Sequence, residues 1–91
     1  PIVSHAGDGN FHVALLIDKK SDEELKKLDD FLIRISERAI RMDGTCTGEH
    51  GVGQGKRKYM LKELGGAVDI MKKVKNAFDP NKIMNPGKLF L

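Results

Sequence analysis

Apolar and polar positions change period along this chain. Over residues 11–17 they alternate, with Phe11, Val13, Leu15 and Ile17 on one face and His12, Ala14 and Leu16 on the other. That two-residue period predicts a strand, preceded by the end of another at residues 2–4 and a turn at residues 7–9. From Leu25 onward the spacing lengthens to three and four. Leu25, Leu28, Phe31, Leu32, Ile35, Ala39, Ile40 and Met42 make one stripe, with Lys26, Asp29, Arg34, Glu37 and Arg41 mostly opposite, which predicts a long amphipathic helix. Ser21-Asp22-Glu23-Glu24 has the form of a capping box, Ser21 as N-cap and Glu24 three residues on. Gly44 takes the stopping position after the helix. Residues 45–47 are β-prone but short, and four glycines within 48–55 exclude regular structure over most of that stretch. A short helix is expected over 56–64, ending at Gly65-Gly66. A second is expected over 67–78, with Ile70, Met71, Val74, Ala77 and Phe78 inward and Asp79-Pro80 ending it. The tail, 81–91, reads as turn and coil around Asn85-Pro86-Gly87-Lys88.

Few strands with one long and two shorter helices indicate an α+β layer. The 91 residues suffice for one small domain. Two short strands make a poor sheet alone, and the chain opens at Pro1 directly on one of them. Both features lead us to expect a piece, 1–91, of a longer protein that supplies further strands, or a homo-oligomer that does so. Apolar residues at 40% and charged residues at 32% suit a globular fold and not a disordered one. The longest apolar run, 13–17, is far too short to span a bilayer, so no transmembrane segment is expected. No basic stretch followed by an apolar run marks a signal peptide. A single cysteine, Cys46, excludes an internal disulfide framework and suits a reducing compartment; the expected location is cytoplasmic, with the surface of the inner membrane and an organelle as alternatives. We read Cys46 as a small buried residue rather than a reactive thiol. A net charge of +3, one Tyr, no Trp and no nucleic-acid module argue against nucleic acid as a partner.

The chemistry concentrates in two glycine-rich segments. His5-Ala6-Gly7-Asp8-Gly9-Asn10-Phe11-His12 and Gly48-Glu49-His50-Gly51 contain all three histidines of the chain. Gly7, Gly9 and Asn10 argue against a helix between His5 and His12, so the chain must reverse there, which can bring both imidazoles to one point. Asp8 belongs to the turn or hydrogen-bonds an imidazole. Glu49 and His50 are adjacent and on extended backbone point to opposite sides. One of them therefore coordinates and the other acts separately. A carboxylate would complete a two-histidine, one-carboxylate set with open positions, leaving His50 as a general base, neutral near pH 7.

Gly51-Val52-Gly53-Gln54-Gly55-Lys56 fails as a phosphate loop. A Walker A motif requires Gly where His50 stands and Ser or Thr where Arg57 stands, and the dinucleotide fingerprint requires a third Gly at Lys56.

Taken in order, His-x-Gly-Asp-Gly-Asn-x-His, Gly-Thr-x-x-Gly-Glu-His-Gly-x-Gly and Asp-Pro…Asn-Pro-Gly-Lys resemble the C-terminal domain of FAD-linked oxidases, from His5 to Lys88. That family includes D-lactate dehydrogenases, D-2-hydroxyglutarate dehydrogenase and the flavin-linked chain of glycolate oxidase. The resemblance implies the C-terminal part of a ferredoxin-like cap over a flavin, with FAD held mainly by a separate N-terminal domain, so that this piece alone would be inactive. It implies His5, His12 and Glu49 as ligands of a divalent metal, typically zinc, and His50 as catalytic base. Asn10 and His50 would face a small 2-hydroxy-acid substrate, and Asn85 and Lys88 would lie near the flavin. One departure matters: D-2-hydroxyglutarate dehydrogenases carry Asn where this chain has Ala14, which favours a smaller acid such as glycolate or D-lactate. Two other classes use the same residues: a metal-dependent hydrolase with a His-His-Glu site, and a metal-binding module without chemistry. The electron acceptor is open.

Overall fold

The computed structural model describes residues 1–90. Its elements are β1 (Ile2–His5), β2 (Asn10–Val13), α1 (Asp22–Arg41), a 3-10 turn at Arg57–Tyr59, α2 (Met60–Leu64) and α3 (Ala67–Phe78). The expected α+β class holds, with two antiparallel strands beside three helices.

β1 and β2 form a hairpin in which Ile2 faces Val13, Val3 faces His12, Ser4 faces Phe11 and His5 faces Asn10. The reversal is the four-residue turn 6–9, closed by Asp8 N–H to the His5 carbonyl at 2.9 Å. Directly paired residues share a face, and so do residues two apart on one strand. His5, Asn10, Val3 and His12 therefore share one face, opposite Phe11, as the alternation predicts. The second strand is shorter than expected. Ala14 N–H bonds the Pro1 carbonyl at 3.0 Å. Beyond it no strand among the described residues faces 15–17, and Leu16 is 96% exposed.

Ser21 caps α1 as predicted, its Oγ accepting from Glu24 N–H at 3.3 Å. The return bond of the capping box is replaced: the Glu24 carboxylate accepts from Asp18 N–H at 2.6 Å. At the other end the helix closes one residue earlier than expected. Asp43, not Gly44, takes the left-handed backbone, with φ of 60°. Asp43 N–H reaches the Ile40 carbonyl at 3.1 Å and Gly44 N–H reaches that of Ala39 at 2.8 Å, the paired bonds of a Schellman motif.

The core is small: Cys46, Tyr59, Met60 and Val68 are its buried apolar residues. Ion pairs Lys58–Asp29 and Lys62–Glu37 tie α1 to the segment running from the 3-10 turn into α2. The Lys62 ammonium holds the Glu37 carboxyl below its ordinary value.

α3 spans the predicted residues but is rotated from its predicted orientation. Val68 and Asp79 are buried and Met71 and Lys75 half-buried, while Ile70, Val74 and Phe78 are exposed, and so is Ala77. The cause is polar. Asp79 accepts from Ile83 N–H at 3.0 Å and Met84 N–H at 3.1 Å and from Lys75 Nζ. Lys75 Nζ also donates to the Met84 carbonyl at 2.7 Å. The tail is wound onto this face, and the apolar stripe is left outside. Among the described residues no helix is long and apolar enough to cross a membrane.

Candidate active site

The hairpin supplies one wall of the site. His5 and Asn10 are directly opposed at its closed end, and His12 lies two residues along β2 on the same face. Such diagonal neighbours stand roughly 7–8 Å apart, within reach of two imidazoles converging on one point.

The other wall is the irregular segment 45–51. It bends at 48–50 and turns through Gly51 at φ of 76°, a conformation costly for a residue with Cβ. Thr47 Oγ1 donates to the Gly51 carbonyl at 2.8 Å and closes the bend. Gly48 sits against β2 so closely that a Cβ on it would lie 2.7 Å from Asn10 Cβ. This approach delivers Glu49 to His5, with Oε2 of the carboxylate 3.0 Å from His5 Nε2.

The bend also changes the relation of Glu49 to His50. Extended backbone would send them apart; here His50 Nε2 stands 3.4 Å from Oε1 of the same carboxylate. The His50 ring in turn lies against that of His12, centroids 5.4 Å apart and tilted by 46°. All three histidines thus gather around Glu49 or one another. The His5, Glu49 and His50 side chains are more than half exposed, so their contacts add little stability and serve geometry instead. Between the walls lies an open cleft of about 480 Å³ lined by His5, Asp8, Gly9, Asn10, Thr45, Gly48 and Glu49.

The resemblance implies a divalent ion bound by His5, His12 and Glu49. Two ligand atoms about 2.1 Å from one ion stand roughly 3.0–3.4 Å from each other, and the His5–Glu49 separation falls in that interval. The third donor is not in place. His12 packs against His50, and among the described residues no three His, Cys, Asp or Glu side chains gather tightly enough to hold an ion. The described residues therefore present the His5–Glu49 ion pair and no assembled three-ligand site.

Asn85 and Lys88 belong to the tail turn, where Lys88 N–H reaches the Asn85 carbonyl at 3.3 Å. That turn is docked on the glycine loop: Leu89 N–H bonds the Gly53 carbonyl at 2.7 Å and Arg57 Nη1 donates to the Gly87 carbonyl at 3.0 Å. Thr45, a fixed position of the second motif, lines the cleft. Two residues to which the sequence analysis gave no site role, Glu63 and Lys56, hold the segment behind Glu49. Glu63 reads as an ordinary polar position of a short helix, and no spacing rule links it to Cys46.

The family described as FAD linked oxidases, C-terminal domain, matches residues 2–89. The chain belongs to that family. It is 53% identical over 97% of its length to a protein named D-lactate dehydrogenase [cytochrome], mitochondrial, of Arabidopsis thaliana, covering 16% of that protein. A yeast protein, D-lactate dehydrogenase [cytochrome] 1, mitochondrial, of Saccharomyces cerevisiae, is 53% identical over 98% of the chain and is covered to 15%. Glycolate oxidase subunit GlcD of Bacillus subtilis is 46% identical over 94% of the chain and is covered to 18%. The chain spans about a sixth of the length of these relatives. The resemblance noted in the motifs is thereby confirmed across the whole chain.

Proposed function

We propose that this chain is the substrate-side part of an FAD-dependent oxidoreductase that converts a small D-2-hydroxy acid, glycolate or D-lactate in kind, to the 2-oxo acid. The observation carrying the proposal is the cluster of His5, Glu49 and His50 at a cleft shared with Asn10, in a chain of the FAD-linked oxidase family. Relatives named for D-lactate and glycolate support the substrate class, and Ala14 in place of Asn supports the smaller acids.

His5, His12 and Glu49 would hold a divalent ion, zinc by the family resemblance. Bound there, the flavin would supply a hydride acceptor for C2 of the substrate, and the ion would supply a Lewis acid for its hydroxyl. His50 takes the hydroxyl proton; Glu49, beside its Nε2, orients the ring and stabilises the imidazolium that forms. Asn10, directly opposite His5 on the shared face, orients the substrate with its amide. Asn85 and Lys88 serve through the tail turn that braces Gly53, near the flavin.

Membership of a flavin-linked family argues against the hydrolase alternative. Two relatives named as mitochondrial support the organellar alternative over the cytoplasmic placement. Assay of the flavin-loaded enzyme against glycolate, D-lactate and D-2-hydroxyglutarate tests the reading. Turnover of the first two is expected, and a clear preference for the last contradicts it.

A further inference from the structure

Glu49 and His50 lie on a segment with neither helix nor strand, and what fixes that segment stands outside the cleft. The backbone of Cys46 is gripped on both sides. Its N–H donates to Glu63 Oε1 at 3.2 Å, and its thiol faces Glu63 Oε2 at 3.6 Å. Its carbonyl accepts from Lys56 Nζ at 2.6 Å. Cys46 is buried, and Glu63 and Lys56 are half-buried. An anion at the N–H side and a cation at the carbonyl are both charge-assisted bonds, away from full solvent, where such bonds gain strength. Downstream, the Thr47–Gly51 bond closes the bend, and the contact of Gly48 with Asn10 seats it against β2. Between these two fixings the Glu49 carboxylate meets His5 and His50.

We propose that Glu63 and Lys56 are positioning residues for the site. By clamping Cys46 they set the 47–51 bend so that the Glu49 carboxylate meets His5 and His50. Neither lines the cleft, so they act through the bend and not on substrate. The inference rests on the function proposed above.

The test uses the flavin-loaded enzyme. Glu63→Ala is expected to lower kcat/KM for the preferred 2-hydroxy acid by about 10- to 100-fold, the scale of loss from a misplacement on the order of 1 Å. Glu63→Gln, whose amide oxygen still accepts the Cys46 N–H, is expected to recover most of it. Lys56→Met keeps the aliphatic stem and loses the bond, and should resemble Glu63→Ala; it carries the test should Glu63→Ala not fold. In a Glu49→Ala background the same substitutions should cause no further loss, because their effect passes through Glu49. A general weakening of the fold would instead lower activity equally in both backgrounds. Crystal structures of the variants give a readout independent of the reaction. The His5–Glu49 contact should be lost in Glu63→Ala and kept in Glu63→Gln. Additive losses in the cycle, or a Glu49 carboxylate unmoved in Glu63→Ala, would overturn the proposal. A wild-type enzyme that oxidises no 2-hydroxy acid would refute the functional reading alone, and the variant structures would then decide the positioning role.

Discussion

Gly48 and Asn10 touch across the site: a Cβ on Gly48 would stand 2.7 Å from Asn10 Cβ and 3.9 Å from its Cα. The first distance is below any ordinary contact, and the obstacle is the root of a side chain on a paired strand, which cannot swing away. Gly48→Ala should therefore push the bend off the hairpin and carry Glu49 away from His5. The expected result is a loss in kcat/KM on the order of 100-fold with the far-ultraviolet circular dichroism unchanged. Wild-type turnover in this variant would show that the close approach is dispensable.

Asp79 governs the tail. Its carboxylate accepts from Lys75 and from two backbone N–H groups, and the Lys75 hydrogen bond foremost holds it below the usual carboxylate range. A lowered folded-state value means that the ionised form is favoured by folding. The stability it contributes is complete above the ordinary value near 4 and is lost as pH falls through the lowered one. Asp79→Ala should lower the melting temperature at neutral pH and flatten the acid limb of the stability profile. An acid limb as steep as that of the wild type would assign the dependence to other carboxylates.

At the start of α1, Ser21→Ala removes the acceptor for Glu24 N–H and should cost about 1 kcal/mol, read by urea unfolding. The neighbouring bond from Asp18 N–H to Glu24 lies outside that cap and should survive.

How much of this was legible beforehand depended on where the determining contact lay. The capped start of α1, the limits of α3 and the chain reversal between His5 and His12 follow from local chemistry and period, and the structure shows all three. The buried state of Cys46 also matches; burial foremost, with Glu63, pushes its thiol above the ordinary value. The outward turn of Ile70, Val74 and Phe78 did not follow, because the tail bonds of Lys75 and Asp79 that rotate the helix are invisible to hydrophobic spacing. The convergence of Glu49 and His50 was likewise hidden. Adjacent residues diverge only on extended backbone, and the bend at 48–50 is imposed by Asn10, Gly51 and the clamp on Cys46.

Zinc binding is expected under the proposed function. With His5 and Glu49 already spaced as two ligands and His12 on the same face, calorimetric titration of the chelator-treated enzyme should show one site. The double variant His5→Ala, His12→Ala should abolish it. Undiminished binding in that variant would place the ion elsewhere.

In the proposed function His50 takes a substrate proton while hydride leaves C2 for the flavin. Anaerobic stopped-flow mixing of the flavin-loaded enzyme with D-lactate or glycolate, with loss of the oxidised flavin absorbance as the signal, tests it most directly. Rapid bleaching is expected in the wild type, and a rate lower by about 100- to 10,000-fold in His50→Ala. Bleaching at the wild-type rate in His50→Ala, or none in the wild type with either acid, would contradict it.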